Sequence, residues 1–207
     1  MKQSRPLPVT HPEYSVLEFP GYYEYRIENW HLARDGSGRV IRGARGLSLM
    51  DAFVVGLLAI LWPKLIGLTP KFAYGIVATL LIWQKITQVM HESVVVIPQH
   101  GLQLETHCGF PPFVFFSSKR FVARKFLQDV IINEGLRRWD VRYYLAAIRQ
   151  TGPESYELDV AYENILPHYP VLRCIYNSIQ DTLIEPAYRE LDRNIKTERY
   201  TKIMSSS

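Results

Sequence analysis

The side chains best suited to chemistry fall in the middle of the chain. His91 and Glu92 are adjacent, and an imidazole beside a carboxylate is the minimal acid–base pair. They also sit where a long apolar stretch gives way to an alternating one, and a junction of that kind accounts for them without any reaction. His100, His107 and Cys108 are residue types that hold zinc. Only three are present, and their spacing matches no zinc pattern, so structural roles are expected. Asp129, Asn133 and Glu134 lie in the run DVIINE. In a strand, 129, 131 and 133 share one face while Glu134 takes the other, so they do not converge. The phosphate-cradling glycine motifs, the nucleophile elbow and a D-x-D pair are all missing from the sequence. Lys119, Arg120, Arg124 and Lys125 form a basic cluster, extended by Arg137 and Arg138. It suits either phosphate head groups or a solvated strand face. No catalytic, cofactor-binding or metal-binding residue is expected.

The elements that would position these groups follow from hydrophobic patterning. Leu47 to Leu68 and Phe72 to Met90 are two neighbouring apolar segments. With Trp62 and Trp83 near their ends they read as a membrane helical hairpin over residues 47–91. A partial dip into one leaflet and a buried helix pair are the competing readings. Four arginines before the hairpin (Arg34, Arg39, Arg42, Arg45) outnumber Lys64 and Lys71 at its turn, favouring cytosolic N- and C-termini. The N-terminus has no apolar core or cleavage site of a signal peptide. Cys108 and Cys174 form no spaced pair and read as free thiols. A net charge of +4 in 207 residues is too mild to indicate nucleic acid and suits an anionic membrane surface.

Residues 1–46 form an N-terminal segment. Its first thirteen residues, broken by Pro6, Pro8 and Pro12, read as disordered. Tyr14 to Leu32 reads as a possible β-hairpin turning at Pro20-Gly21, and 33–46 as a glycine-rich basic linker. From residue 92 the apolar period becomes two, and several short strands follow. Val171, Ile175, Ile179 and Leu183 then recur every four residues as the stripe of an amphipathic helix, which Pro186 ends or kinks. The charged tail beyond it adds a possible second helix. Strands closed by one helix over 92–200 give the outline of a pleckstrin-homology-like (PH-like) antiparallel barrel or sandwich. The expected fold is thus an α+β membrane protein, a two-helix membrane hairpin followed by a PH-like domain with a C-terminal helix.

Several runs resemble the PIG-H family, components of the phosphatidylinositol N-acetylglucosaminyltransferase complex. They are Glu92-Ser93 opening a hydrophobic strand, GLQLET at 101–106, DVIINE at 129–134, YYLAAI at 143–148, and Leu166-Pro167 with Val171-Leu172 beyond. Ala123 and His168 depart from the family pattern, where F-I-P is frequent before DVIINE and Arg is common after the L-P pair. The resemblance implies an accessory, non-catalytic subunit of the complex that transfers GlcNAc from UDP-GlcNAc to phosphatidylinositol, the first step of GPI-anchor synthesis, at the endoplasmic reticulum membrane. It implies a catalytic PIG-A-type subunit, other complex subunits and membrane lipid as partners, with no cofactor on this chain. Glu92, Gln103, Glu105, Asp129, Asn133, Glu134, Tyr143 and Tyr144 become expected interface positions, and Lys119, Arg120, Arg124 and Lys125 expected head-group contacts. A membrane-anchored PH-like lipid-binding module is the alternative, and a membrane-embedded enzyme using His91 and Glu92 a more distant one.

Overall fold

The computed structural model describes residues 1–33, 37–44, 49–62, 67–137 and 139–186. Arg34, Arg45, Lys64, Arg138 and the charged tail from 187 lie outside the described residues.

Alternating apolar residues build the main sheet. β1 (Lys2–Ser4), β2 (Tyr14–Phe19) and β3 (Tyr22–Glu28) form an antiparallel run, with Gly21 at φ 93° in the tight turn. That conformation suits a residue without Cβ. β3 pairs with β6 (Val89–Ile97), β6 with β7 (Gly101–Phe110), and β7 with β8 (Phe113–Ala123). The six strands run in the order β1-β2-β3-β6-β7-β8. β4 (Trp30–Leu32) and β5 (Val40–Arg42) form a separate two-stranded ribbon, so part of the expected linker is ordered. A second sheet has the order β11-β10-β9, from β9 (Leu127–Arg137), β10 (Asp140–Gln150) and β11 (Tyr156–Ala161).

One apolar cluster joins the layers. Tyr25, Ile27, Val94, Val96, Leu102 and Val122 come from the main sheet, and Val130, Leu145, Ala147 and Ala161 from the second. α3 (Tyr169–Ile179) adds Val171, Leu172, Ile175 and Ile179, and Leu183 follows from a single π-helical turn at Gln180–Ile184. Burying an aliphatic side chain of this kind stabilises by roughly 1.5–3 kcal/mol. Inside the core the Tyr162 hydroxyl donates to the Tyr25 carbonyl at 2.8 Å, joining the end of β11 to β3.

Three expectations need correction. The two-helix membrane hairpin is not found. α1 is Leu49–Leu61 and α2 is Leu68–Ile86, and no described helix is long and apolar enough to cross a membrane. The 13 residues of α1 rise about 20 Å against a hydrocarbon core of about 30 Å. α2 carries Lys71, Thr79, Gln84 and Lys85 along its length, and Lys85 pairs with Asp51 of α1 at 2.7 Å. The apolar run also ends early, because Val89 and Met90 already belong to β6. Second, a PH-like domain confined to 92–200 does not describe the sheet. β1–β3 are integral to it, since the buried Tyr25 and Ile27 need the β6 face as partner. Third, residues 1–13 are not disordered: β1 pairs with β2, and Leu7 packs against the core.

Candidate functional site

The first strand of the family-like region places Glu92 inward and His91 outward, as alternation requires. Glu92 is 2% exposed. Its carboxylate accepts from Thr106 Oγ1 at 3.1 Å, Asn164 Nδ2 at 2.7 Å, the Asn164 N–H at 3.2 Å and the Ile165 N–H at 3.0 Å. Those two amides belong to the connection between β11 and α3, where Tyr162 (φ 55°) and Leu166 (φ 48°) hold left-handed conformations. A short loop bent that way turns its N–H groups inward, and a buried acceptor satisfies them. Glu92 is therefore a staple between the main sheet and the entrance of α3. Buried and filled with donors, it is badly placed to take a proton from a substrate.

On the opposite face, His91 stacks on His107 with ring centroids 4.3 Å apart. Burial, with His107 and Arg26 nearby, lowers the His91 pKa to about 4, so its ring is neutral at pH 7. Gln103, Glu105 and His107 alternate along β7 on this same face. Glu105 accepts from Gln103 and pairs with His107 at 2.9 Å and Lys119 at 3.1 Å. Burial alone pushes the Glu105 carboxyl up, but the bonds from Lys119, His107 and Gln103 outweigh it and hold the pKa low. This strip is a closed polar network. Cys108 follows on the inner side, where burial and the Glu92 charge push its thiol up and away from nucleophilic reactivity. His107 and Cys108 thus face apart, and His100 lies in the turn before β7. Among the described residues no group of three such ligands is arranged to hold a metal.

The second sheet carries the remaining expected positions. Asp129 accepts from Gln180 Nε2 at 3.0 Å and anchors the π-helical turn. Asn133 donates to the Tyr144 hydroxyl at 3.3 Å, directly across the β9–β10 pair. Tyr143 lies opposite Glu134, whose hydrogen bond raises the phenol pKa, and packs on Tyr169 with centroids 4.9 Å apart. The basic cluster does not share one face. Lys119 binds Glu105, Arg120 reaches Asp159 on β11 at 3.1 Å, Arg124 donates to the Pro98 carbonyl at 3.1 Å, and Lys125 lies over the Phe126 ring. Beside them, β8 is an edge strand with Phe113, Phe115, Phe116 and Phe121 exposed.

A family model described as "GPI-GlcNAc transferase complex, PIG-H component" matches residues 93–163. The chain is also 30% identical over 128 residues to phosphatidylinositol N-acetylglucosaminyltransferase subunit gpi15 of Schizosaccharomyces pombe, covering 60% of this chain and 74% of that protein. The chain belongs to the PIG-H family. No solved structure matches it.

The PIG-H match begins one residue after Glu92 and ends one residue before Asn164. It therefore covers β7–β11 and most of β6 but omits both ends of the staple. Of the PIG-H-like positions, Glu92 and Asp129 hold the fold together, Gln103 and Glu105 order the outer strip, and Asn133, Glu134, Tyr143 and Tyr144 lie along β9 and β10. Nothing in the sequence singles out Asn164 and Ile165, the partners of Glu92. Their contribution is largely backbone N–H, which leaves no mark in residue type.

Proposed function

We propose that this chain is a non-catalytic subunit of a GPI-GlcNAc transferase complex, located at the endoplasmic reticulum membrane, and that it docks there against the catalytic PIG-A-type subunit. The complex would transfer GlcNAc from UDP-GlcNAc to phosphatidylinositol. Family membership supports the assembly, and one structural observation supports docking. β8 lies at the sheet edge, and nine of its eleven residues are exposed, four of them phenylalanines. A long open edge with aromatic side chains on both faces is a liability for a solitary protein and a natural seat for another chain. Aromatic residues are also enriched at the buried centres of interfaces.

The experiment is affinity purification of the full chain from membranes, followed by identification of the accompanying chains. A transferase-type subunit should accompany the wild type. Phe115→Ser with Phe116→Ser, both at exposed positions, should release it while leaving the melting profile of the chain unchanged. A double variant that retains the partner in full would overturn docking through β8. The lipid-module alternative gains no support from the basic cluster, because Lys119 and Arg120 are engaged by Glu105 and Asp159.

A further inference from the structure

The two sheets treat water differently. Each packs one face on the core, and an antiparallel sheet of that kind commonly turns polar side chains outward on the other. The main sheet does so, with Gln103, His107 and Lys119 bonded to Glu105 across its outer face. The second sheet does not. Alternation sends Val130, Leu145 and Ala147 into the core, so Ile131, Tyr144, Ala146, Ile148, Leu158 and Val160 line the opposite face. Ile131, Ala146 and Val160 pair directly in one row, and Ile148 with Leu158 in the next. None of these side chains is charged, and Leu158 is more than half exposed. An apolar face of this kind on a folded domain marks a contact surface.

One end of the face sinks into a hollow of about 360 Å3, lined by Tyr144, Leu158, Val160 and Leu166 together with Arg137 and Arg142. Arg142 is paired with Asp140 at 2.7 Å, whereas Arg137 makes only a long bond of 3.4 Å to the Glu163 carbonyl. Among the described residues, no carboxylate pairs with Arg137. The hollow therefore offers an apolar floor and a guanidinium whose charge awaits an anion.

The width of the face selects its occupant. Three strands about 4.8 Å apart span about 10 Å, close to the diameter of a single α-helix at about 10–12 Å. A helix laid along a sheet is a standard way for two layers to bury an apolar boundary. A lipid surface fits less well, because attachment to anionic lipid gains only about 1 kcal/mol per cation and this face offers Arg137 as its one uncompensated cation among the described residues. We propose that the outer face of the second sheet seats an amphipathic helix of another subunit, with the apolar stripe of that helix on Ala146, Leu158 and Val160 and one of its carboxylates on Arg137. This surface is separate from the β8 edge. The inference takes from the assembly reading only that a second protein is present.

The test is photo-crosslinking of the full chain in its own membranes, with a benzophenone side chain in place of Leu158 and, in a separate preparation, in place of Phe115 of β8. The adduct peptides are then sequenced. The probe at 158 should join a segment of another chain whose apolar residues recur at helical spacing and which carries Asp or Glu. Arg137→Glu should cut the yield of that adduct by about tenfold, and exchanging the contacted carboxylate for lysine should restore it. Damage to the fold would give the loss without the restoration, and would overturn the charge pairing. An adduct at 158 confined to lipid, to a second copy of this chain or to residues 187–207 of the same chain would overturn the proposal, as would a wild-type yield in Arg137→Glu. An adduct at 115 with none at 158 would overturn this inference and leave docking through β8 standing, whereas the reverse would support this surface alone.

Discussion

Glu92 and His91 are neighbours in sequence and behave oppositely. Glu92→Ala removes the acceptor of two loop amides and leaves them buried, so stability should fall by about 2–4 kcal/mol. Urea denaturation of the full chain measures this, and an unchanged midpoint would show that the loop finds other acceptors. His91 gives a pH dependence with a definite sign. Its ring stays unprotonated in the fold down to about pH 4, whereas once unfolded it takes a proton near pH 6.5. Between those values the unfolded chain binds the extra proton, so its contribution is fully present above pH 6.5 and is lost as pH falls towards 4. His91→Asn should flatten the slope of the urea midpoint across that window. An identical slope in wild type and variant would place the dependence on other groups.

At the scale of elements, the hairpins depend on tight approaches that one methyl group would block. Gly101 opens β7 at φ 138°, and a Cβ there would lie 2.1 Å from the Val122 carbonyl oxygen of β8. Gly101→Ala should therefore separate β7 from β8 locally and cost about 2 kcal/mol or more, visible as a lowered melting temperature. The stripe of α3 and the π-helical turn after it was legible from the sequence, because Val171, Ile175, Ile179 and Leu183 recur every four residues and all four are buried. Pro20-Gly21 is likewise where the chain turns between β2 and β3. The apolar runs of α1 and α2 misled for a definite reason. Hydropathy records what a side chain avoids, and neither helix length nor what covers it. Phe53, Ile60, Leu80 and Trp83 are each more than half exposed on helices that fall short of a span.

For the whole molecule, the assembly reading makes a plain kinetic prediction. The isolated chain should transfer no GlcNAc to phosphatidylinositol, whereas membranes lacking it should lose that transfer. Measurable turnover by the purified chain would refute the accessory role. The family was readable from short motifs because those motifs are strand-and-turn units of the fold, such as GLQLET at the start of β7 and DVIINE within β9. The partners of Glu92 were not readable. Asn164 and Ile165 come from a loop more than seventy positions along the chain, and no local spacing announces that contact.

The pairing of β3 with β6 also bears on how the protein is made. As the nascent chain leaves the ribosome, β1–β3 appear first and can form their own ladder. The far side of β3 then waits, its N–H and C=O groups unpaired, until residues 29–88 have been synthesised and β6 arrives. The hydroxyl of Tyr162 reaches the Tyr25 carbonyl later still. Polypeptides released prematurely anywhere before β6 would therefore display a naked strand margin, and quality-control proteases and holdase chaperones should recognise them far more readily than they do the finished product.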